Sequence, residues 1–213
     1  MIKIENTDTY GWEAAIRGMR NPMNSWDKSD SRWESSNIGE QHYIFGPNDT
    51  ALMLKLCNAG TDHRKFMRMI HVSADVTAPL YWWKEYDTYK VGTVANSCST
   101  MHKLGSKEFE LDDFSHDYLD STGERILKYW IDDLNDLRYS YISTKDKKDW
   151  YQMIQLLPSS YNQRRTIDLN YEVLTNIYHA RLNHKLNEWH EFCDWIKSLP
   201  MSDLILQAND HYI

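Results

Sequence analysis

The chain has 213 residues, the size of one large domain or two small ones, and it is 41% hydrophobic with nine tryptophans and fourteen tyrosines. A chain with so many large packing groups folds, which excludes a disordered protein. The formal net charge of −7 and the sequence pI of about 5.7 argue against a protein that coats nucleic acid, because such proteins carry a basic patch or stripe.

Membrane, secreted and metal proteins are disfavoured as well. No run reaches the roughly 20 apolar residues of a membrane-spanning helix, and the first residues lack the apolar core of a signal peptide. Cys57, Cys98 and Cys193 form no C-x-x-C pair, and the histidines form no H-E-x-x-H motif. We therefore expect a cytoplasmic protein with no metal, no membrane partner and no nucleic-acid partner.

The N-terminal part, residues 1–46, begins with a predicted strand at residues 1–4 and a predicted helix at residues 12–19. A long polar segment follows, and such a segment inside a compact domain is either functional or disordered. Its tryptophans, Trp26 and Trp33, favour order. We expect this segment to be a loop that acts as a lid.

Prolines and glycines mark the next elements. Pro47 begins a predicted helix that Gly60 ends, and the alternating β-branched run at residues 69–76 predicts a strand that leads into a helix at Pro79. The aromatic residues of that helix, Trp82, Trp83, Tyr86 and Tyr89, could pack in the core or offer stacking surfaces. Residues 92–100 are nearly all small, which favours a loop that approaches another group closely.

The C-terminal half is predicted to be mainly helical. The acidic residues 102–120 indicate a solvated connection of marginal structure, and apolar residues three and four apart predict a long amphipathic helix from Thr122. Residues 164–169 could be a short strand or a turn. Further helices are predicted at residues 147–157, 171–183 and 186–199. This order of elements predicts an α+β domain with helices in excess.

A histidine, a strand that runs into a proline, a leucine-proline turn and a helix that ends in an arginine follow one another in this chain. These features are His63, Ala78-Pro79, Leu156-Leu157-Pro158 and, at the helix end, Arg181. Two asparagines, Asn170 and Asn176, lie between the turn and the arginine. In this order and spacing, the sequence over most of residues 50–195 resembles the flavin-dependent thymidylate synthases, the ThyX family. The resemblance implies a single ThyX-like domain over residues 1–213, with a small antiparallel or mixed sheet, several helices packed around it and a tail at residues 200–213.

The family signature R-H-R-x-x-S-x-N-E-x-S-x-R-Y is kept in position but almost wholly lost in identity. Its arginine-histidine-arginine triplet falls on Thr88-Tyr89-Lys90. Its serine, glutamate, second serine and final arginine fall on Thr93, Asn96, Cys98 and Thr100. Because an arginine fork binds phosphate through two hydrogen bonds that lysine or threonine does not reproduce, we expect phosphate binding here to be weaker or differently placed.

The resemblance implies two sets of site residues and no catalytic protein residue. The nucleotide-binding set is Arg181, Lys90, Thr93 and Asn96, with Arg181 and Lys90 as the phosphate clamp. The cofactor-binding set is His63, Tyr89, Asn170 and Asn176. Alternatives remain, since a lone histidine beside a helix end often caps or packs, and Asn170 suits a helix N-cap. For Cys98 we favour packing over a nucleophilic role, because no basic residue of its loop would lower the thiol pKa.

The implied activity is methylation of dUMP, or of a related pyrimidine nucleotide, by a homotetrameric flavoprotein that uses FAD, methylenetetrahydrofolate and NADPH. The lost signature favours an alternative, a catalytically silent protein on the same scaffold that binds or sequesters a nucleotide. Such a protein could be viral and lie in the host cytoplasm. A third class, a protein-interaction module, would use the acidic surface and the tryptophan-containing loop.

Overall fold

The structure is a computed structural model and describes residues 2–36 and 38–208, so residues 209–213 of the expected tail lie outside it. The helices, in chain order, are α1 (Trp12–Arg20), α2 (Pro47–Cys57), α3 (Leu80–Tyr86), α4 (Thr100–Lys103), α5 (Ser121–Thr144), α6 (Lys147–Leu156), α7 (Tyr171–Arg181), α8 (Asn187–Lys197) and α9 (Asp203–Leu206). The strands are β1 (Lys3–Tyr10), β2 (Arg32–Ser35), β3 (Gln41–Ile44), β4 (His71–Pro79), β5 (Thr93–Ser97) and β6 (Asn162–Asn170).

Four of the strands form one small sheet in the order β1-β4-β6-β5, and β2 and β3 form a separate antiparallel pair in which Arg32 lies opposite Ile44. Side chains alternate along β4, where Val72, Ala74 and Val76 are buried between half-buried polar residues. One face of this strand therefore packs against apolar groups. The sheet and the helices around it confirm the expected α+β class.

The chain divides into two compact units, and neither is a continuous segment. One unit consists of Met1–Glu5, Asp75–Thr88 and Ala95–Ile167, and the other of Asn6–Ala74, Tyr89–Val94 and Asp168–Ile213. We call them the first and the second unit and describe each by itself.

In the first unit, α5 packs against α6 over an apolar cluster. The cluster contains Leu104, Phe109, Phe114, Leu127, Ile131, Leu134 and Met153. The expectation of a solvated connection at residues 102–120 was therefore wrong, since three of these side chains belong to it. Acidic residues dominate the composition of this connection, but the apolar residues between them pack against α5. In addition, Phe109 and Asn135 form two hydrogen bonds of 2.9 and 3.0 Å.

The aromatic residues of α3 belong to the core of the first unit. Trp82, Trp83 and Tyr86 are buried, and the Trp83 indole N–H donates to the carbonyl oxygen of Gln163 at 2.9 Å. This confirms that they pack in the core. They offer no exposed surface on which a ligand ring could stack.

Two segments that were expected to be loops contain regular structure. Within residues 21–46, two 3₁₀ helices, Asn21–Met23 and Trp26–Lys28, precede the β2–β3 pair. The small residues after Gly92 form β5, because threonine and valine suit a strand and the chain continues beside β6. The Cys98 N–H donates to the carbonyl oxygen of Arg164 at 2.9 Å, and its side chain is exposed, so the packing interpretation of this cysteine was wrong.

In the second unit, α7 packs against α8 and α9. The guanidinium of Arg64 is fully buried and donates to the carboxylate of Glu172 on α7 at 3.0 Å. Leu204 and Ile205 of α9 are buried, so this part of the expected tail belongs to the core. Within residues 2–36 and 38–208, no helix is long and apolar enough to cross a membrane.

Candidate functional site

The centre of the candidate site is the positive charge of Arg181, the last residue of α7. Its Nε donates to the Tyr89 hydroxyl at 2.8 Å. The guanidinium carbon lies 4.6 Å from the ring centroid of Trp189, on α8, and 5.4 Å from that of Tyr89. Cation–π contacts with both rings therefore fix the position of this charge.

The segment that carries Tyr89 lies directly against the start of α7. Gly92 has a φ of +73°, and a Cβ on it would lie 3.1 Å from Val173 Cγ2 and 3.2 Å from Asn170 Nδ2. Only glycine therefore combines this backbone conformation with this close approach. The Thr93 hydroxyl donates to the carbonyl oxygen of Tyr89, which tightens the turn.

Lys90 adds a second cation beside Tyr89. Its side chain is exposed, and no ion-pair partner exists for it in the part of the chain that the structure describes. An exposed ammonium on a flexible stem can reach a phosphate as a point charge. Lys90 can therefore assist Arg181 without repeating its fork geometry.

The two asparagines of this region have different roles. The Asn170 side-chain oxygen accepts the Val173 N–H at 3.0 Å and caps α7, which confirms the N-cap alternative. The Asn176 side-chain oxygen is buried and, among the described residues, has no hydrogen-bond partner. A buried acceptor without a donor costs about 1–3 kcal/mol, so this atom suits a donor that a ligand supplies.

Two predicted site residues do not join these contacts. His63 is exposed in the turn after α2, where its N–H donates to the Gly60 carbonyl at 3.0 Å. Asn96 lies on β5, in the first unit, with its side chain exposed. Neither side chain makes a hydrogen bond to the described part of the chain.

Sequence reasoning missed Trp189, whose ring lies closer to the Arg181 guanidinium than that of Tyr89. Trp189 is fully buried, and the His184 ring lies 6.2 Å from it. The available indication was a tryptophan eight residues after the arginine, across a short turn between two predicted helices. Across the described ranges, 2–36 and 38–208, no group of three or more His, Cys, Asp or Glu side chains could hold a metal ion.

The sequence matches no family model and no curated protein. Solved structures do resemble it. Thymidylate synthase X from Helicobacter pylori, solved with FAD and dUMP, superposes with a TM-score of 0.70 at 16% identity, over 99% of this chain and 100% of that one. A second structure of the ThyX enzyme from the same organism, also complexed with FAD and dUMP, gives 0.69 at 16% identity, over 97% and 99%.

A third structure broadens the comparison. The UMP/dUMP methylase PolB from Streptomyces cacaoi, bound with 5-Br dUMP, has a TM-score of 0.63 at 13% identity, over 98% of this chain and 95% of that one. At such identities the likeness establishes the fold. The chain has a ThyX-like fold, which confirms the expectation from its sequence.

Proposed function

We propose that this chain binds a pyrimidine nucleoside monophosphate, dUMP or a close relative, and methylates it as a flavin-dependent thymidylate synthase-like enzyme. The observation that carries the proposal is the fixed cation of Arg181 on a fold whose solved examples hold dUMP and FAD. We also propose a cytoplasmic homotetramer in which methylenetetrahydrofolate donates the one-carbon unit and NADPH the hydride.

Arg181 is the proposed phosphate ligand. A guanidinium binds phosphate strongly, and one that Trp189 and Tyr89 already hold in place loses little further entropy on binding. Lys90 would assist as a second positive charge. Thr93 and Asn96 are the proposed hydrogen-bonding partners of the rest of the nucleotide.

The residues around α7 fit the ring edge of FAD. The buried Asn176 oxygen needs a donor, and the ring N–H of an isoalloxazine is one. Tyr89, His63 and Asn170 are the further proposed contacts, although the Asn170 oxygen already caps α7. Lys90 is the only cation of the Thr88-Tyr89-Lys90 triplet, so we expect FAD to bind less tightly than it would at an arginine-rich site.

When bound, a flavin supplies the redox chemistry, while this chain's residues bind and orient the reactants. In the proposed reaction, carbon 5 of the pyrimidine gains the methylene carbon and loses its hydrogen as a proton. A hydride equivalent that originates from NADPH completes the methyl group, and tetrahydrofolate leaves. In this proposal Arg181 and Lys90 hold the phosphate away from carbon 5, and the reaction requires no protein nucleophile.

One observation favours a second candidate, a nucleotide-binding protein without catalysis. The resemblance expects arginines at the positions of Thr88 and Thr100 and a glutamate at the position of Asn96. A hydroxyl or an amide replaces a charge at each of these positions. Such a protein could keep the Arg181 contact and lose the flavin.

The deciding experiment is an absorbance spectrum of the purified protein, before and after addition of FAD and then of dUMP. We expect bound-flavin bands at about 370 and 450 nm that survive removal of free FAD and shift as dUMP saturates the site. In Arg181→Ala, the dUMP affinity should fall roughly tenfold to a hundredfold, because a charge-assisted contact is lost. The exposed Lys185→Ala is the matched control and should leave the affinity unchanged.

The possible outcomes separate the two candidates. A protein that stays colourless with FAD, yet binds labelled dUMP in equilibrium dialysis through Arg181, supports the catalytically silent alternative. A protein that binds no dUMP contradicts both. Equal dUMP affinity in Arg181→Ala and Lys185→Ala would remove Arg181 from the site.

A further inference from the structure

A cavity of about 270 Å³ lies beside α1 in the second unit, and none of its lining residues belongs to the Arg181 contacts. One stripe of α1 forms its floor, and the segment after α1 forms its walls. We call it the α1 pocket; its principal residues are Glu13, Ile16, Arg17, Arg20, Trp26 and Tyr43.

Asp49 anchors the walls of the α1 pocket. It is fully buried and accepts hydrogen bonds from Arg20 Nε at 2.7 Å, from the Ser29 hydroxyl at 2.9 Å and from the Ser31 N–H at 2.9 Å. Arg20 also donates to the Ser25 carbonyl at 3.2 Å. These contacts hold the segment between α1 and β2 in place, so the cavity is formed before a ligand arrives.

The two aromatic side chains of the pocket, exposed Trp26 and half-buried Tyr43, are held in place by neighbouring residues. The Trp26 ring is 51% exposed, and its indole N–H donates to the Asn21 side-chain oxygen at 2.8 Å. The Tyr43 ring meets the edge of Trp33 at 5.1 Å, and the Trp33 indole N–H donates to Glu13 at 3.0 Å. Oriented aromatic rings at a cavity are stacking surfaces for a planar ligand.

Two arginines line the pocket, and they differ in their charged partners. Arg20 is paired with Asp49, at 2.6 Å, and Glu13 accepts the Trp33 hydrogen bond. Arg17 is exposed and has no ion-pair partner within residues 2–36 and 38–208. One unpaired guanidinium near the carboxylate of Glu13 favours a monoanion over a doubly charged phosphate.

We propose that the α1 pocket binds a small planar aromatic carboxylic acid. Its ring would lie against Trp26 and Tyr43, and its carboxylate would bind Arg17 in the fork geometry that a guanidinium offers. A cavity of about 270 Å³ has room for a two-ring compound with one acidic group. The site is independent of the nucleotide site proposed above.

Isothermal titration calorimetry on the full chain tests this proposal with two probes of nearly equal shape, indole-3-acetate and the neutral indole-3-acetamide. We expect the wild-type protein to bind the acid about tenfold to a hundredfold more tightly than the amide. Arg17→Gln should bind both probes alike. Arg68→Gln, which replaces an exposed arginine outside the pocket, should behave as the wild type.

A second variant tests the ring contact. Trp26→Leu should lower the affinity for both probes by a similar factor and leave the preference for the acid unchanged. The proposal is overturned if the wild type does not distinguish acid from amide, if neither probe saturates below about 10 mM, or if Arg17→Gln keeps the preference. Unchanged dUMP binding in Arg17→Gln would show that the two sites are separate, and a parallel loss of dUMP binding would contradict their independence.

Discussion

At the scale of single residues, Asp49 shows how a buried charge is maintained. Burial by itself would raise the pKa of this carboxyl, but hydrogen bonds from Ser31, Ser29 and Arg20 outweigh burial and lower the pKa from 3.8 to about 2. Because the folded-state pKa lies below the ordinary one, this carboxylate stabilises the fold above about pH 4. Its contribution, about 2 kcal/mol, is lost as the pH falls from about 4 to 2.

We predict that Asp49→Asn lowers the free energy of unfolding at neutral pH by about 3–5 kcal/mol, because it leaves the Arg20 guanidinium buried without its counter-charge. Urea unfolding followed by tryptophan fluorescence measures the loss. In the same variant, the decline of stability between about pH 4 and pH 2 should become shallower than in the wild type. The exposed Asp27→Asn is the control, and a loss of equal size there would contradict the assignment.

At the scale of elements, the approach of the Tyr89 segment to α7 depends on Gly92. Gly92→Ala should lower the free energy of unfolding by about 1–2 kcal/mol because of the left-handed backbone. The loss should be larger still, because the new methyl group would press on Val173 and Asn170. The displaced segment would also shift Tyr89 and so weaken dUMP binding. Chemical denaturation and dUMP titration measure the two effects.

Gly60→Ala is the matched control for this prediction. Gly60 has a φ of +99°, but a Cβ there would meet no atom of the described structure within 4 Å. Gly60→Ala should therefore lower the free energy of unfolding only by the backbone contribution and leave dUMP binding unchanged. Identical effects of the two substitutions would refute the close approach as the reason for Gly92.

At the scale of the whole molecule, the chain passes repeatedly between the two compact units. It does so between residues 5 and 6, 74 and 75, 88 and 89, 94 and 95, and 167 and 168. Four of these junctions fall inside the strands β1, β4, β5 and β6. Any continuous fragment that contains all of one unit therefore also contains parts of the other.

We predict that the protein unfolds in one cooperative transition, as the expected single domain would. Differential scanning calorimetry should give a calorimetric enthalpy equal to the van 't Hoff enthalpy, and tryptophan emission should change together with far-ultraviolet circular dichroism. Two separate transitions would show that the units fold independently and that residues 1–213 are not one domain.

Sequence reasoning succeeded where the residues that determine an element lie within that element. Pro79 and the apolar spacing after Thr122 predicted α3 and α5 closely, because both act within a few residues of the chain. The helical content of residues 100–113 and the strand β5 were missed, because Phe109 and Cys98 are held by hydrogen bonds to Asn135 and Arg164, far away in sequence. Partners that are distant in sequence therefore determined the structure of these segments.

The candidate site was predictable to a similar degree. The sequence resemblance pointed to Arg181 and Tyr89, and the structure joins them with a hydrogen bond of 2.8 Å. It did not reveal Trp189, because a tryptophan eight residues after an arginine predicts a contact only once the path of the turn between the two helices is known. The sequence did not single out the Asn176 oxygen either, because its lack of a hydrogen-bond donor among the described residues is a property of the folded structure.

The strand order has a consequence for how the protein is made. Synthesis runs from the N-terminus, so β1, β4 and β5 leave the ribosome before β6, yet β6 lies between β4 and β5 in the sheet. Until β6 emerges, the strand edges that will receive it carry unpaired backbone groups, which other chains can capture. Translation that stops before residue 162 would leave β4 and β5 without their common neighbour, whereas loss of β1 would remove a strand only from the edge.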